Sequence, residues 1–119
     1  MADRREHPRV EKRIRLRWQR VDGAGGEAKR VGPVEPSVTL DVSRGGLAFS
    51  VPEPLPVGTI LALELERESG GPPLSALARV ARSVIEEAGS FVGVEFTWIE
   101  CALPDFVLGL APENAWTLL

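Results

Sequence analysis

The chain has no tyrosine, one cysteine and one histidine in 119 residues, and its remaining aromatics are three tryptophans and four phenylalanines. Each shortage removes a class of function. Cys101 alone cannot build an internal disulfide framework, which points to a reducing, cytoplasmic setting. With one Cys and one His, metal sites of the Cys/His type are excluded by count, and no metal or cofactor is expected. Nucleophilic catalysis of the Ser-His-Asp or Cys-His kind would have to use His7, which lies in a stretch without apolar periodicity and so without a rigid setting. Few rings also weaken any stacking platform for single-stranded nucleic acid. No apolar run approaches the roughly 20 residues that span a bilayer. Charge begins at Asp3 with no apolar segment behind it, so no secretory leader is expected. The GxxxxGK[ST] phosphate loop is absent. The acidic pairs Glu64/Glu66 and Glu86/Glu87 read as strand-surface and turn residues, where carboxylates are ordinarily solvated. The expectation is a protein that is not an enzyme.

What is present is a globular composition, 44% hydrophobic and 26% charged, in a chain long enough for one domain around one modest core. The net charge of −3 conceals an asymmetry. Residues 1–20 hold eight basic side chains (Arg4, Arg5, Arg9, Lys12, Arg13, Arg15, Arg17, Arg20) against three acids (Asp3, Glu6, Glu11), a balance of +5 that leaves −8 over the rest. A basic arm on an acidic body suits an anionic ligand at the arm, or docking of the arm onto the body. Residues 1–12 are read as that arm, flexible, and 13–119 as the folded domain.

Periodicity two dominates the body. Ile14, Leu16 and Trp18 alternate with Arg13, Arg15 and Arg17, giving a half-buried strand with an arginine-rich outer side. Asp22-Gly23-Ala24-Gly25-Gly26 breaks the chain in a loop. Val31–Pro36 carries two prolines and reads as irregular or edge-like. Val38, Leu40 and Val42 alternate with Thr39 and Asp41 as a second strand, and Leu47–Val51 gives a third. Beyond the proline-rich turn at 52–56, Leu61, Leu63 and Leu65 share one face. Leu74–Ile85 fits a helix by composition and a strand by the spacing of Leu74, Ala76, Ala78 and Val80. The compact linker at 86–90 favours a hairpin with Phe91–Thr97, whose apolar face is Val92, Val94 and Phe96. Cys101–Leu110, crossed by Pro104, reads as a short helix. Short strands with Gly/Pro turns indicate an all-β sandwich or small barrel, and closure into a barrel removes exposed edges.

Two clusters stand out against this background. Arg5 and Arg9, within Arg4-Arg5-Glu6-His7-Pro8-Arg9, supply two planar guanidinium forks. Asp41-Val42-Ser43-Arg44-Gly45-Gly46 places a carboxylate and a hydroxyl two residues apart, then two glycines, between apolar runs. A ligand carrying both phosphates and guanine edges matches the set: forks for anions and for guanine O6/N7, a carboxylate for amino and imino protons.

In this order, on a small β-barrel, the clusters resemble the PilZ domain family, bacterial receptors for cyclic di-GMP. That family carries RxxxR, here Arg5-Glu6-His7-Pro8-Arg9, and [DN]xSxxG, here Asp41-Val42-Ser43-Arg44-Gly45-Gly46. Gly58 opening a strand after a proline-rich turn, and Val92-Gly93-Val94-Glu95-Phe96 in a late strand, are similar to it too. The resemblance spans about residues 4–97; from Trp98 onward no family motif is matched. It implies a six-stranded antiparallel barrel, with the arm folding over one side when nucleotide binds. Arg5 and Arg9 would engage phosphate and the Hoogsteen edge of guanine, Asp41 would accept from guanine N–H groups, and Ser43 would bond the ligand. Gly46 would allow either close backbone approach or a positive φ, and Gly93 close packing of ligand on the wall. Arg4, just before the motif, accompanies an intercalated nucleotide dimer in such proteins. Arg44 is either a further phosphate contact or a solvated loop residue. Output would pass to a partner protein. The other reading is a scaffold of the same fold that binds protein and no nucleotide. Binding of DNA or RNA through the basic arm is not expected.

Overall fold

Strict alternation builds the first strand. In the computed structural model, which describes residues 11–23, 29–67 and 70–100, Ile14, Leu16 and Trp18 are buried while Arg13, Arg15 and Arg17 face solvent. The strands are β1 (Arg15–Asp22), β2 (Lys29–Val42), β3 (Gly46–Val51), β4 (Ile60–Leu65), β5 (Leu74–Glu86) and β6 (Gly89–Ile99). They close into a barrel in the order β1-β2-β3-β6-β5-β4, with β4 returning to β1, and every pairing is antiparallel. This is the six-stranded all-β barrel that the resemblance implied. No helix occurs among the described residues. The expected helix at 101–110, and all of the expected arm except Glu11 and Lys12, lie outside them.

The interior is filled from every wall. Leu61, Leu63 and Leu65 of β4 oppose Leu74, Ala76, Ala78 and Val80 of β5, Val92 and Val94 of β6, and Leu47, Phe49 and Val51 of β3. Trp18 and Phe49 meet with ring centroids 6.1 Å apart at a 46° tilt, a geometry that favours the ring quadrupoles. Full burial of a leucine contributes about 1.5–3 kcal/mol, so these alternating faces supply the main driving force for closure. Gly58 takes φ +96 and donates its N–H to the Val80 carbonyl at 2.8 Å, which pins the turn before β4 onto β5.

Residues 74–85 resolve as strand, with Leu74, Ala76, Ala78 and Val80 all inward. Glu86 pairs with Gly89 across a tight turn, as a hairpin requires. β6 runs to Ile99, two residues past the expected end at Thr97, because Trp98 and Ile99 still find ladder partners in Leu77 and Ala76.

The proline-bearing part of β2 is irregular and edge-like, as its composition indicates: it is strand paired with β1, but the register slips between Trp18 and Arg20, Gly32 takes φ +77, and β2 meets β3 only from Thr39 onward. Pro33 and Pro36 therefore sit where one side of the strand has no ladder partner among the described residues, a position that tolerates a missing N–H. The departure from the sequence reading is a reversed face. Val38 is 38% exposed while Thr39 is fully buried, and the register slips between Thr39 and Asp41. A bulge at Leu40 resets the alternation, so that Val42 again points inward at 1% exposure. The buried hydroxyl is satisfied: Thr39 Oγ1 accepts from Ile14 N at 2.8 Å and donates to the Lys12 carbonyl.

Candidate functional site

The bulge that buries Thr39 also aims Asp41. With Val42 committed to the core, Asp41 faces outward and is half-buried, at the end of β2. The chain then turns through Ser43, Arg44 and Gly45 into β3. Ser43 closes that turn, donating its N–H to the Gly46 carbonyl at 2.8 Å and its Oγ to the same oxygen at 3.3 Å. Gly45 is tied from outside the hairpin, because its carbonyl accepts the Phe96 N–H at 2.8 Å. Carboxylate and hydroxyl thus sit on a short loop held at both ends by the barrel, a preorganised arrangement. Asp41 and Arg44 are both engaged in polar interactions and are not unpaired charges.

Gly46 resolves between its two expected roles. Its φ is not positive; the requirement is close approach. A Cβ there would lie 1.9 Å from the Val94 carbonyl oxygen, against backbone that cannot yield cheaply. The glycine lets the start of β3 press onto β6, which sets the height of the Ser43 loop above the barrel wall.

Gly93 belongs to the same surface. Asp41 pairs with Ala48, Ala48 with Gly93, and Gly93 with Arg82, one row across β2, β3, β6 and β5. Leu47 and Phe49 fill the core on either side of Ala48, so Ala48 and its row partners face outward. What lies against Gly93 in this structure is Arg82: a Cβ on Gly93 would meet the Arg82 Nε at 2.8 Å and Cγ at 3.1 Å. Sequence reading did not single out Arg82. Strict alternation from Arg79 would have turned it inward; a register shift between Val80 and Arg82 turns both arginines outward. Only the three-residue spacing of two arginines on one strand hinted at this.

Asp41, Ser43, Gly46 and Gly93 are therefore brought onto one continuous surface. Arg4, Arg5 and Arg9 lie outside the described residues. Clefts of about 560 and 650 Å³ occur elsewhere, one beside Arg17, Pro36 and Glu64, the other beside Trp18, Pro33 and Leu55. Neither is lined by the motif residues. No group of three or more metal-ligating side chains occurs among the described residues. Nor is any helix among them long and apolar enough to cross a membrane.

Known proteins share this architecture. The inhibitor of motility MotI/DgrA of Bacillus subtilis is similar over 84% of this chain, with 19% identity and a TM-score of 0.60, and the chain spans 45% of that protein. The PilZ domain of CeSA from a cellulose-synthesizing bacterium is similar over 86% of this chain and 96% of its own, with 23% identity and a TM-score of 0.56. At these identities the likeness is one of fold. No curated protein matches the sequence. The sequence pattern of the PilZ domain matches residues 3–101, which takes in both clusters and all six strands, and the chain belongs to the PilZ domain family.

Proposed function

We propose that this protein is a cyclic di-GMP receptor that works as a switch without catalysis. The observation that carries the reading is the Asp41–Gly46 hairpin. Its carboxylate and hydroxyl stand on a loop fixed to β6, beside an outer wall of small residues, and the same sequence supplies a guanidinium pair at Arg5 and Arg9. Asp41 accepts the imino and amino protons of a guanine, Ser43 bonds the ligand, and Gly46 and Gly93 let it lie close to the wall. Arg5 and Arg9 close over it, contacting phosphate and the guanine O6/N7 edge, where a bidentate fork fits and lysine would not. Arg4 adds a further cation, in keeping with an intercalated nucleotide dimer.

Signalling follows from ordering. Nucleotide draws the N-terminal arm onto the barrel, and the altered surface is read by a partner protein in the cytoplasm. Ordering a segment on binding lowers net affinity, so micromolar or sub-micromolar dissociation constants are expected. Each charge-assisted hydrogen bond contributes about 1.5–3 kcal/mol. Arg5→Ala and Arg9→Ala should each weaken binding at least tenfold in calorimetry while the melting temperature without ligand stays put. Affinity unchanged by either substitution would contradict the assignment. A folded protein that captured a protein partner but bound no cyclic dinucleotide would instead support the scaffold reading. Affinity for DNA or RNA with a steep salt dependence, and no preference for the cyclic dinucleotide, would place the arm's function in nucleic-acid binding.

A further inference from the structure

The row that starts at Asp41 ends on a cation that the family motifs do not name. Asp41, Ala48, Gly93 and Arg82 are consecutive cross-strand partners on the outer face of β2, β3, β6 and β5. Three interstrand steps separate the end residues, a span of about 14 Å between their Cα atoms. The two residues between them on the row, Ala48 and Gly93, are the smallest kinds of side chain. Arg82 does not extend straight into solvent. Its Cγ, Cδ and Nε all lie within 3.5 Å of where a Gly93 Cβ would be, so the side chain leans from β5 onto β6, toward the motif strands.

Its charge is also uncommitted. Glu95, the nearest acid on β6 by register, is bonded to Arg79 at 3.2 Å, and among the described residues Arg82 makes no hydrogen bond or ion pair. Sheltering is considerable here: Ala48 is 1% exposed although it faces out of the barrel. Charges beside such a surface act through a lower effective dielectric than bulk water provides.

We infer that Arg82 is a third ligand-binding guanidinium, one that reads a guanine base. Resting on the receptor reading above, a purine spans the row between Asp41 and Arg82. Its donor edge faces Asp41, and its O6/N7 acceptor edge meets the fork of Arg82, which leaves Arg5 and Arg9 the phosphates and the O6/N7 edge of the second guanine. Opposite charges at opposite ends of the row match the opposite hydrogen-bonding edges of guanine, and adenine, with an amino group in place of O6, offers Arg82 a donor instead of an acceptor. Gly93 is then required for the lean of Arg82, whose Nε and Cγ occupy the space a Cβ would fill.

Calorimetric titration of the full chain with cyclic di-GMP tests this, using wild type, Arg82→Ala, Arg82→Lys and, as a control on β1, Arg17→Ala, with cyclic di-AMP as the competing base. Loss of about tenfold or more in cyclic di-GMP affinity is expected for Arg82→Ala, with a reduced preference over cyclic di-AMP. Arg82→Lys should fail to restore it, because a point charge cannot make the bidentate contact. Arg17→Ala should bind as wild type. Arg82 is on the exposed side of its strand, and unchanged melting temperatures will show that the barrel survives. If wild type binds and Arg82→Ala stays within about twofold of it, the inference is overturned while the receptor reading stands. Full rescue by lysine would mean a phosphate contact and overturn base reading. Absence of any wild-type binding would defeat the receptor reading and this inference with it.

Discussion

Two glycines on one surface carry different burdens, and the neighbour of the missing Cβ decides which. At Gly46 the obstacle is the Val94 carbonyl oxygen at 1.9 Å, fixed in a ladder; at Gly93 it is the flexible distal part of Arg82 at 2.8 Å. Overpacking against rigid structure costs about 1–3 kcal/mol or more. Gly46→Ala should therefore lower the unfolding free energy from urea denaturation by about that much or more, whereas Gly93→Ala, which only displaces a surface side chain, should stay within about 0.5 kcal/mol of wild type. Thr39 gives a third case. Its hydroxyl satisfies the Ile14 N–H at 2.8 Å inside the barrel wall, and Thr39→Val, nearly isosteric, would leave that donor buried and unpaired. The expected loss is about 1–3 kcal/mol by denaturant unfolding. A valine variant as stable as wild type would show that water reaches the gap. Thr39 was not legible in the sequence, because a threonine between two apolar residues reads as outward, and at Gly46 the sequence left close approach and a positive φ both open.

The strands themselves were largely legible, because their period is local. β1, β4 and β6 announce themselves by alternation, with Leu61, Leu63 and Leu65 each 1% exposed or less, while β5 needed the compact linker at 86–90 to decide strand over helix. What alternation cannot reveal is a bulge, since one inserted residue inverts every face beyond it. The slip at Leu40 made the β2 reading wrong at Val38 and Thr39, and the slip at Ala81 hid Arg82 from view. Both bulges flank the candidate site, one aiming Asp41 and the other Arg82. Elements also meet through surface ion pairs, Arg17 with Glu64 between β1 and β4 and Arg79 with Glu95 between β5 and β6, each at 3.2 Å. Arg17 is 60% exposed there, and pairs of this kind contribute about 0–1 kcal/mol. Arg17→Ala should lower the unfolding free energy by no more than that, and by less still in high salt; a larger loss would mean that the arginine stem packs as well as pairs.

At the scale of the molecule, closure was the step least accessible to local reading. It depends on β1 meeting β4, with Leu16 opposite Leu65 and Val21 opposite Ile60, contacts that no short window contains. Alternation alone left sandwich and barrel open, and the family resemblance chose between them. Charge distribution, by contrast, is plain in the sequence: the +5 of residues 1–20 against −8 beyond gives the body a reason to attract its own basic segment, and an anion a reason to bind between them. The proposed receptor is a barrel fixed by its apolar faces, with a site to be completed by Arg5 and Arg9 of the N-terminal segment. Titration of the full chain with cyclic di-GMP in a calorimeter, wild type beside Arg5→Ala and Asp41→Ala, tests that union most directly. Saturable binding in the micromolar range or tighter is expected for wild type, weakened about tenfold or more in each variant; a folded wild-type protein that takes up no cyclic di-GMP, or variants that bind as well as it does, would contradict it.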